Sequence, residues 1–181
     1  MSTLKIAAVA ASMALGLSVG VYAAENQTDL RPKLGQPITP TDLKPWDITI
    51  FPDGTGLPAG NGTAAQGAPI FAQKCSACHG DNGKGGEAAP LTAGPPRATL
   101  DGGKTIANFW PYATTVFDFI RRAMPANAPK SLSDQEVYAL TAYLLSLNKL
   151  IGETDVINAQ TLPKVKMPNA NNFIIRFPER I

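Results

Sequence analysis

The feature that most constrains this chain is the short segment Cys75-Ser76-Ala77-Cys78-His79. It contains both cysteines of the chain and its one histidine. A thioredoxin-like redox pair is disfavoured, because the surrounding sequence lacks a βαβ pattern. A structural zinc site needs four ligands, so acidic side chains would have to complete it. A plain disulfide between the two cysteines would leave the adjacent histidine unexplained.

The same segment has the C-x-x-C-H spacing that is typical of covalent haem attachment. On a helical turn, the thiols of Cys75 and Cys78 are separated by about the distance between the two porphyrin vinyl groups, to which thiols add. His79 follows directly and can present its imidazole to the iron. The sequence therefore predicts one covalently attached haem c, because it contains one such motif.

The second axial ligand of the iron must come from another residue type, because His79 is the only histidine. A thioether is the usual partner of histidine in electron-transfer haem proteins. Met13 lies in the apolar N-terminal stretch, and Met167 lies beyond the last predicted helix, where a methionine more often fills a core. Met124 lies between two predicted helices and directly precedes Pro125. We therefore predict Met124 as the ligand.

The N-terminal residues 1–23 have the layout of a secretory signal peptide. A short, positively charged start is followed by the apolar residues 6–21 and then by the small-residue site Val21-Tyr22-Ala23. The alternative is a retained membrane anchor, but the apolar run is short for a bilayer span. We expect cleavage after Ala23, no membrane span in the mature chain, and a periplasmic location.

The remaining chain divides into three segments. Residues 24–63 are rich in Pro and Gly and predict an extended arm. Residues 64–148 predict an all-α domain, whose last helix begins with a capping box of Ser133 and Glu136. Residues 149–181 predict a second irregular arm. Only 17% of the residues are charged and the formal net charge is +2, so no basic nucleic-acid surface is expected.

The order of attachment helix, long loop, helix, Met-Pro segment and final helix resembles class I cytochromes c. This resemblance implies their fold, here extended by long irregular arms. It also implies that Gly67 and Phe71 cross the last helix closely near Tyr143 and Leu144, although simple amphipathicity explains the same residues.

The resemblance further implies a role for a proline in the loop after the histidine. The carbonyl of Pro90, or alternatively that of Pro95, would accept a hydrogen bond from the imidazole of His79. Haem propionate partners are open: Arg97, Trp110 and Tyr112 are candidates, and ordinary packing or surface positions explain them equally well.

A more specific resemblance covers nearly all of the predicted mature chain. Residues 46–58, 109–125, 131–144 and 163–170 look like the cytochrome subunit of sulfite or sulfur dehydrogenases, the SoxD-like proteins. In that family a molybdenum subunit oxidises the sulfur compound and passes electrons to the haem. SoxD of the thiosulfate-oxidising complex has two haem domains, whereas this chain has one attachment motif.

The resemblance implies an electron-transfer subunit rather than a catalyst acting alone. The partner would be a molybdenum-containing sulfite or sulfur dehydrogenase subunit, and a downstream cytochrome c or oxidase would accept the electrons. One alternative is a free soluble carrier between respiratory complexes. A less favoured alternative is a haem enzyme acting on a small substrate, which needs an open or displaceable axial site.

Overall fold

The computed structural model describes residues 34–92 and 103–174. The predicted signal peptide, residues 1–23, lies outside these ranges, as do Pro95 and Arg97. The chain divides into two compact units, and the second begins at Lys44. The described part of the first unit, residues 34–43, contains the short helix α1, Pro40–Leu43.

The second unit is built mainly from helices. Its α-helices are α2, Ala64–Lys74; α3, Ser76–His79; α4, Ile106–Phe109; α5, Ala113–Ala123; and α6, Asp134–Leu147. Three short 3-10 helices, Asp81–Gly83, Leu162–Lys164 and Ala170–Asn172, lie in the connecting and C-terminal segments.

Two very short strands link the ends of the two predicted arms. Strand β1, Asn61–Gly62, pairs antiparallel with β2, Ile157–Asn158, so that Asn61 faces Asn158 and Gly62 faces Ile157. The strands were not predicted, because two-residue pairings leave no alternating pattern in a sequence. This pairing joins the chain just before α2 to the chain after α6.

Helices α2 and α6, which pack against each other, each begin with a capping box. The backbone N–H of Ser133 donates to Glu136 Oε2 at 2.8 Å, and Glu136 N–H donates to Ser133 Oγ at 3.3 Å. The predicted capping box of α6 is therefore confirmed. Thr63 and Gln66 form the equivalent pair at the start of α2. Each box satisfies backbone donors that the first helical turn leaves unpaired.

Helices α2 and α6 cross at Gly67, as the resemblance to class I cytochromes c implied. A Cβ atom on Gly67 would lie 2.6 Å from the carbonyl carbon of Ala139 and 2.7 Å from Tyr143 Cβ. The rings of Phe71 and Tyr143 have their centroids 5.4 Å apart. Only a hydrogen atom fits between the helices at this point, so the crossing distance depends on the glycine.

The core lies between α5, α6 and the segments that cover them. Phe117 and Tyr138 are fully buried, and their rings pack at a tilt of 49° with 4.4 Å between the ring centroids. The C-terminal segment contributes Ile157, Leu162 and Met167 to the same cluster. Among the residues that the structure describes, no helix is long and apolar enough to cross a membrane.

An ion pair joins the end of α2 to the start of α6. Lys74 Nζ lies 2.7 Å from Glu136 Oε1. The hydrogen bond from Lys74, followed by those from Ser133, lowers the pKa of Glu136 from 4.5 to about 2. Because the folded-state pKa lies below the unfolded-state pKa, the stabilisation is present above about pH 4.5 and is lost as the pH falls toward 2.

We expect Glu136→Gln to lower the free energy of unfolding near pH 7 by about 1 kcal/mol, as for a partly exposed ion pair that also supports a cap. The difference from wild type should shrink steadily below pH 4.5. Denaturant unfolding across this range measures it. Glu153→Gln, at an exposed residue, is the matched control and should change the free energy of unfolding near pH 7 by no more than about 0.5 kcal/mol. A difference that stays constant down to low pH would contradict the assignment.

Candidate haem site

The two cysteines lie on either side of a break between helices. Cys75 ends α2, where its N–H donates to Phe71 O at 2.9 Å, and α3 then runs from Ser76 to His79. Both thiols are free. Cys75 is half-buried against the core, whereas Cys78 is exposed. The short helix α3, with Cys75 at its N-cap, therefore places both cysteines and His79 on about one helical turn.

Burial controls the chemistry of the first thiol. Desolvation raises the pKa of Cys75 to about 11, with the Lys74 charge acting weakly in the opposite direction. At neutral pH this thiol is protonated, which does not suit a nucleophile or a preformed thiolate metal site. A thiol that becomes a neutral thioether loses nothing by such burial. The half-buried position of Cys75 against the core is compatible with a neutral thioether.

A backbone carbonyl orients the imidazole of His79. Its Nδ1 atom lies 3.1 Å from the carbonyl oxygen of Ala89. In the neutral imidazole tautomer whose Nδ1–H donates there, the lone pair of Nε2 is available to a metal. The prediction that Pro90 supplies this carbonyl is wrong by one residue. Ala88 N–H donates to Cys78 O at 2.9 Å, and this loop register brings the carbonyl of Ala89 to the ring.

Met124 lies where α5 ends. Its N–H makes the last bond of the helix, to Ile120 O at 3.1 Å, and its own backbone is extended. The side chain is half-buried and packs against the same core cluster as Cys75. Met167 is instead part of that cluster, with only 4% of its surface exposed. The structure therefore gives Met167 a packing role and leaves Met124 at a core edge.

Two buried hydroxyl groups lack partners among the described residues. They are the Oγ1 atoms of Thr105, just before α4, and Thr114, in the first turn of α5. A buried polar group without a partner costs about 1–3 kcal/mol, so native proteins rarely leave one unpaired. No sequence pattern distinguished these threonines. Each hydroxyl could donate to an acceptor oxygen of a bound group, such as a haem propionate.

The other propionate candidates have ordinary contacts. Trp110 packs edge-on against Phe119, with 5.5 Å between the ring centroids. Tyr112 occupies the N-cap position of α5 and is half-buried. Their role toward a propionate stays a prediction, and Arg97 lies outside the described residues.

Comparisons with known proteins identify the fold and the family. The profile of the cytochrome c family matches residues 64–148. The crystal structure of the sulfane dehydrogenase SoxCD from Paracoccus pantotrophus contains a chain that is 36% identical, with a TM-score of 0.72. The alignment covers 82% of this chain and 74% of that one. This chain belongs to the cytochrome c family.

One curated protein matches part of this chain. A thiosulfate dehydrogenase of Stutzerimonas stutzeri (strain A1501) is 34% identical over 111 residues. The match covers 56% of this cytochrome but only 36% of the length of the relative. The family profile and the SoxCD match confirm the predicted cytochrome c fold and covalent haem c. Together with this match, they confirm the predicted role as an electron-transfer haem protein similar to the haem subunits of sulfur-compound dehydrogenases.

The cytochrome should lose its covalent haem when both thiols are removed. We expect Cys75→Ser/Cys78→Ser to show the apoprotein mass after denaturation, whereas wild type shows the mass with one haem added. Mass spectrometry of protein matured in a haem-attaching host measures this. Ser76→Ala lies between the cysteines and removes only a hydroxyl that donates to Ala72 O at 2.7 Å, so it should keep the haem. Covalent haem in the double variant would exclude these attachment sites.

Proposed function

We propose that this cytochrome is the single-haem, periplasmic electron-transfer subunit of a molybdenum sulfite or sulfur dehydrogenase. The observation that carries the proposal is the likeness to a SoxCD chain over 82% of this cytochrome, well beyond residues 64–148. A likeness confined to the haem-binding core would fit any class I cytochrome. Its extension into the flanking segments favours a shared partner.

We further propose that Cys75 and Cys78 form the thioethers and that His79 and Met124 are the axial ligands. The hydrogen bond from His79 Nδ1 to Ala89 supports an Nε2 ligand on one side. The position of Met124 at the end of α5, beside the core, supports a thioether on the other. Methionine–histidine ligation favours the reduced iron and gives a comparatively high potential.

The bound haem supplies a one-electron couple, in which the iron alternates between ferric and ferrous. The protein supplies the rest of the function. His79 and Met124 would keep both axial positions filled, so that no substrate binds there. The core residues against which Cys75 and Met124 pack would cover one side of the haem and keep water away from it. Because electron transfer of this kind protonates no substrate, the cytochrome needs no catalytic acid, base or nucleophile.

In the proposed pathway, a molybdenum subunit oxidises the sulfur compound and this cytochrome receives the electrons. A downstream cytochrome c or oxidase would then take them. Both electron-transfer steps would take place in the periplasm, after the signal peptide, residues 1–23, has been cleaved off after Ala23.

Isolation from the native periplasm tests the partnership. We expect the cytochrome to elute with a second subunit and with molybdenum, at a size larger than the 19.1 kDa chain. Elution of the cytochrome alone and without molybdenum, under gentle conditions, would favour a free carrier instead. Carbon monoxide tests the remaining alternative, a haem enzyme. A spectrum that carbon monoxide leaves unchanged is expected, and a rapid shift would point to an open axial site.

A further inference from the structure

We propose that the hydroxyl of Tyr143 is a positioning group for the proximal histidine, acting through Asn82. By holding the loop of residues 80–92, the proximal loop, it would keep the Ala89 carbonyl on the imidazole and lower the haem potential. The inference rests on the proposed ligation by His79.

The first contact joins the final helix to the start of the proximal loop. Tyr143 Oη, on α6, donates to Asn82 Oδ1 at 2.9 Å. Asn82 has a φ of +54°, in the left-handed region that non-glycine residues seldom adopt. Its own carbonyl accepts a hydrogen bond from Thr92 Oγ1 at 2.8 Å. Tyr143 therefore holds Asn82, the residue at which the proximal loop turns. Thr92, at the other end of the loop, is hydrogen-bonded to the same residue.

A second contact from the same helix holds the end of the loop. Asn148 caps α6 and its Nδ2 atom donates to Leu91 O at 3.3 Å and to Leu144 O at 2.8 Å. Leu91 N–H donates in turn to Gly83 O at 2.8 Å. The loop is therefore closed on itself and tied to α6 near both of its ends.

The carbonyl that contacts the histidine lies between these two ties. Ala89 O accepts from His79 Nδ1 at 3.1 Å, and its neighbour Ala88 is bonded to Cys78. Gly85 N–H donates to His79 O at 2.8 Å. Moving the loop relative to the haem-binding segment must therefore stretch the Nδ1–H···O bond or break it.

The strength of that bond affects the iron. A carbonyl that accepts Nδ1–H makes the imidazole a stronger donor, which stabilises the ferric state more than the ferrous state. The hydrogen bonds from Tyr143 and Asn148 to the proximal loop would thus keep the haem potential lower than it would be with a mobile loop. The aromatic ring of Tyr143 has a separate role, since it packs 5.4 Å from Phe71.

Tyr143→Phe tests the proposal, because it removes the hydroxyl and keeps the ring. At a fixed ambient potential we expect the ratio of reduced to oxidised haem to rise two- to threefold, a positive shift of about 18–28 mV at 59 mV per tenfold for one electron. Spectroelectrochemical titration measures it. Exchange of the His79 Nδ1 proton with solvent, followed by NMR of the ferrous protein, should become faster.

The chain offers a matched control on the same helix. Tyr138 Oη donates to Pro58 O at 2.9 Å, outside the proximal loop. Tyr138→Phe removes a hydrogen bond of a more deeply buried tyrosine, so it should lower stability at least as much as Tyr143→Phe and leave the potential unchanged. Asn82→Gly, which tolerates the positive φ, should raise the potential as Tyr143→Phe does. The double variant should shift the potential no further than either single change, because both substitutions remove the same hydrogen bond between Tyr143 and Asn82.

The proposal is overturned if Tyr143→Phe loses stability with no change in potential, or if Tyr138→Phe shifts the potential equally. Additive shifts in the double variant would also contradict it. If the NMR spectrum of the wild type shows no histidine ligand at all, the proposed ligation fails and the positioning role falls with it. That outcome differs from one in which the histidine is ligated but the haem potential does not respond to Tyr143→Phe.

Discussion

Met124→Ala is expected to convert the haem from six-coordinate, low-spin iron to iron with an open or water-filled axial position. The variant should lose the weak red band of a ferric iron–thioether bond and should bind carbon monoxide when reduced. Its potential should fall by on the order of a tenth of a volt or more, within the range of about 0.8 V that axial ligands set. The physical reason is that the thioether stabilises the ferrous state. Absorption spectra and redox titration measure all three changes.

Met167→Ala is the matched control for this result. Met167 is a core residue with 4% exposure, so truncation should cost about 2–5 kcal/mol in unfolding free energy. Its haem spectrum and potential should match the wild type at temperatures where it is folded. A retained red band in Met124→Ala, or its loss in Met167→Ala, would show that the ligand has been assigned to the wrong methionine.

Gly67→Val is expected to cause a large loss of stability. A side chain at this position meets the backbone of Ala139, which cannot move without separating α2 from α6. Overpacking of this kind costs about 3 kcal/mol or more when backbone must shift. In a chain of this size that corresponds to a fall in Tm of roughly 6–12 °C. Thermal unfolding of the haem-loaded protein measures it.

Gly103→Val provides the control, because a Cβ atom there meets nothing within 4 Å among the residues that the structure describes. The same substitution should change Tm only slightly. If both variants lost similar stability, the cause would be the general cost of replacing glycine by valine and not the helix crossing. Equal, near-wild-type stability in both would mean that the α2–α6 contact is looser than the structure indicates.

The sequence predicted best where the signal is local. Ser133 and Glu136 lie three residues apart, and their capping box is formed as expected. The crossing at Gly67 was predicted through a family resemblance and is present. The attachment motif predicted the haem because Cys75, Cys78 and His79 lie within five consecutive residues.

Features that depend on distant parts of the chain were missed or misplaced. The carbonyl on His79 belongs to Ala89 and not to Pro90, since backbone hydrogen bonds within the loop set its register. The hydrogen bond between Tyr143 and Asn82 spans 61 positions and leaves no trace in local pattern. The unpartnered hydroxyl of Thr114 becomes informative only when its burial is known.

Sulfite-driven reduction of the haem tests the central claim most directly. The cytochrome, isolated with its native partner, would be mixed rapidly with sulfite, and separately with thiosulfate, while the haem absorbance is followed. Rapid reduction by one of these compounds, dependent on molybdenum in the preparation and absent for the cytochrome alone, is the predicted result. A haem that stays oxidised with both compounds, even after periplasmic extract is restored, would contradict the dehydrogenase-subunit account.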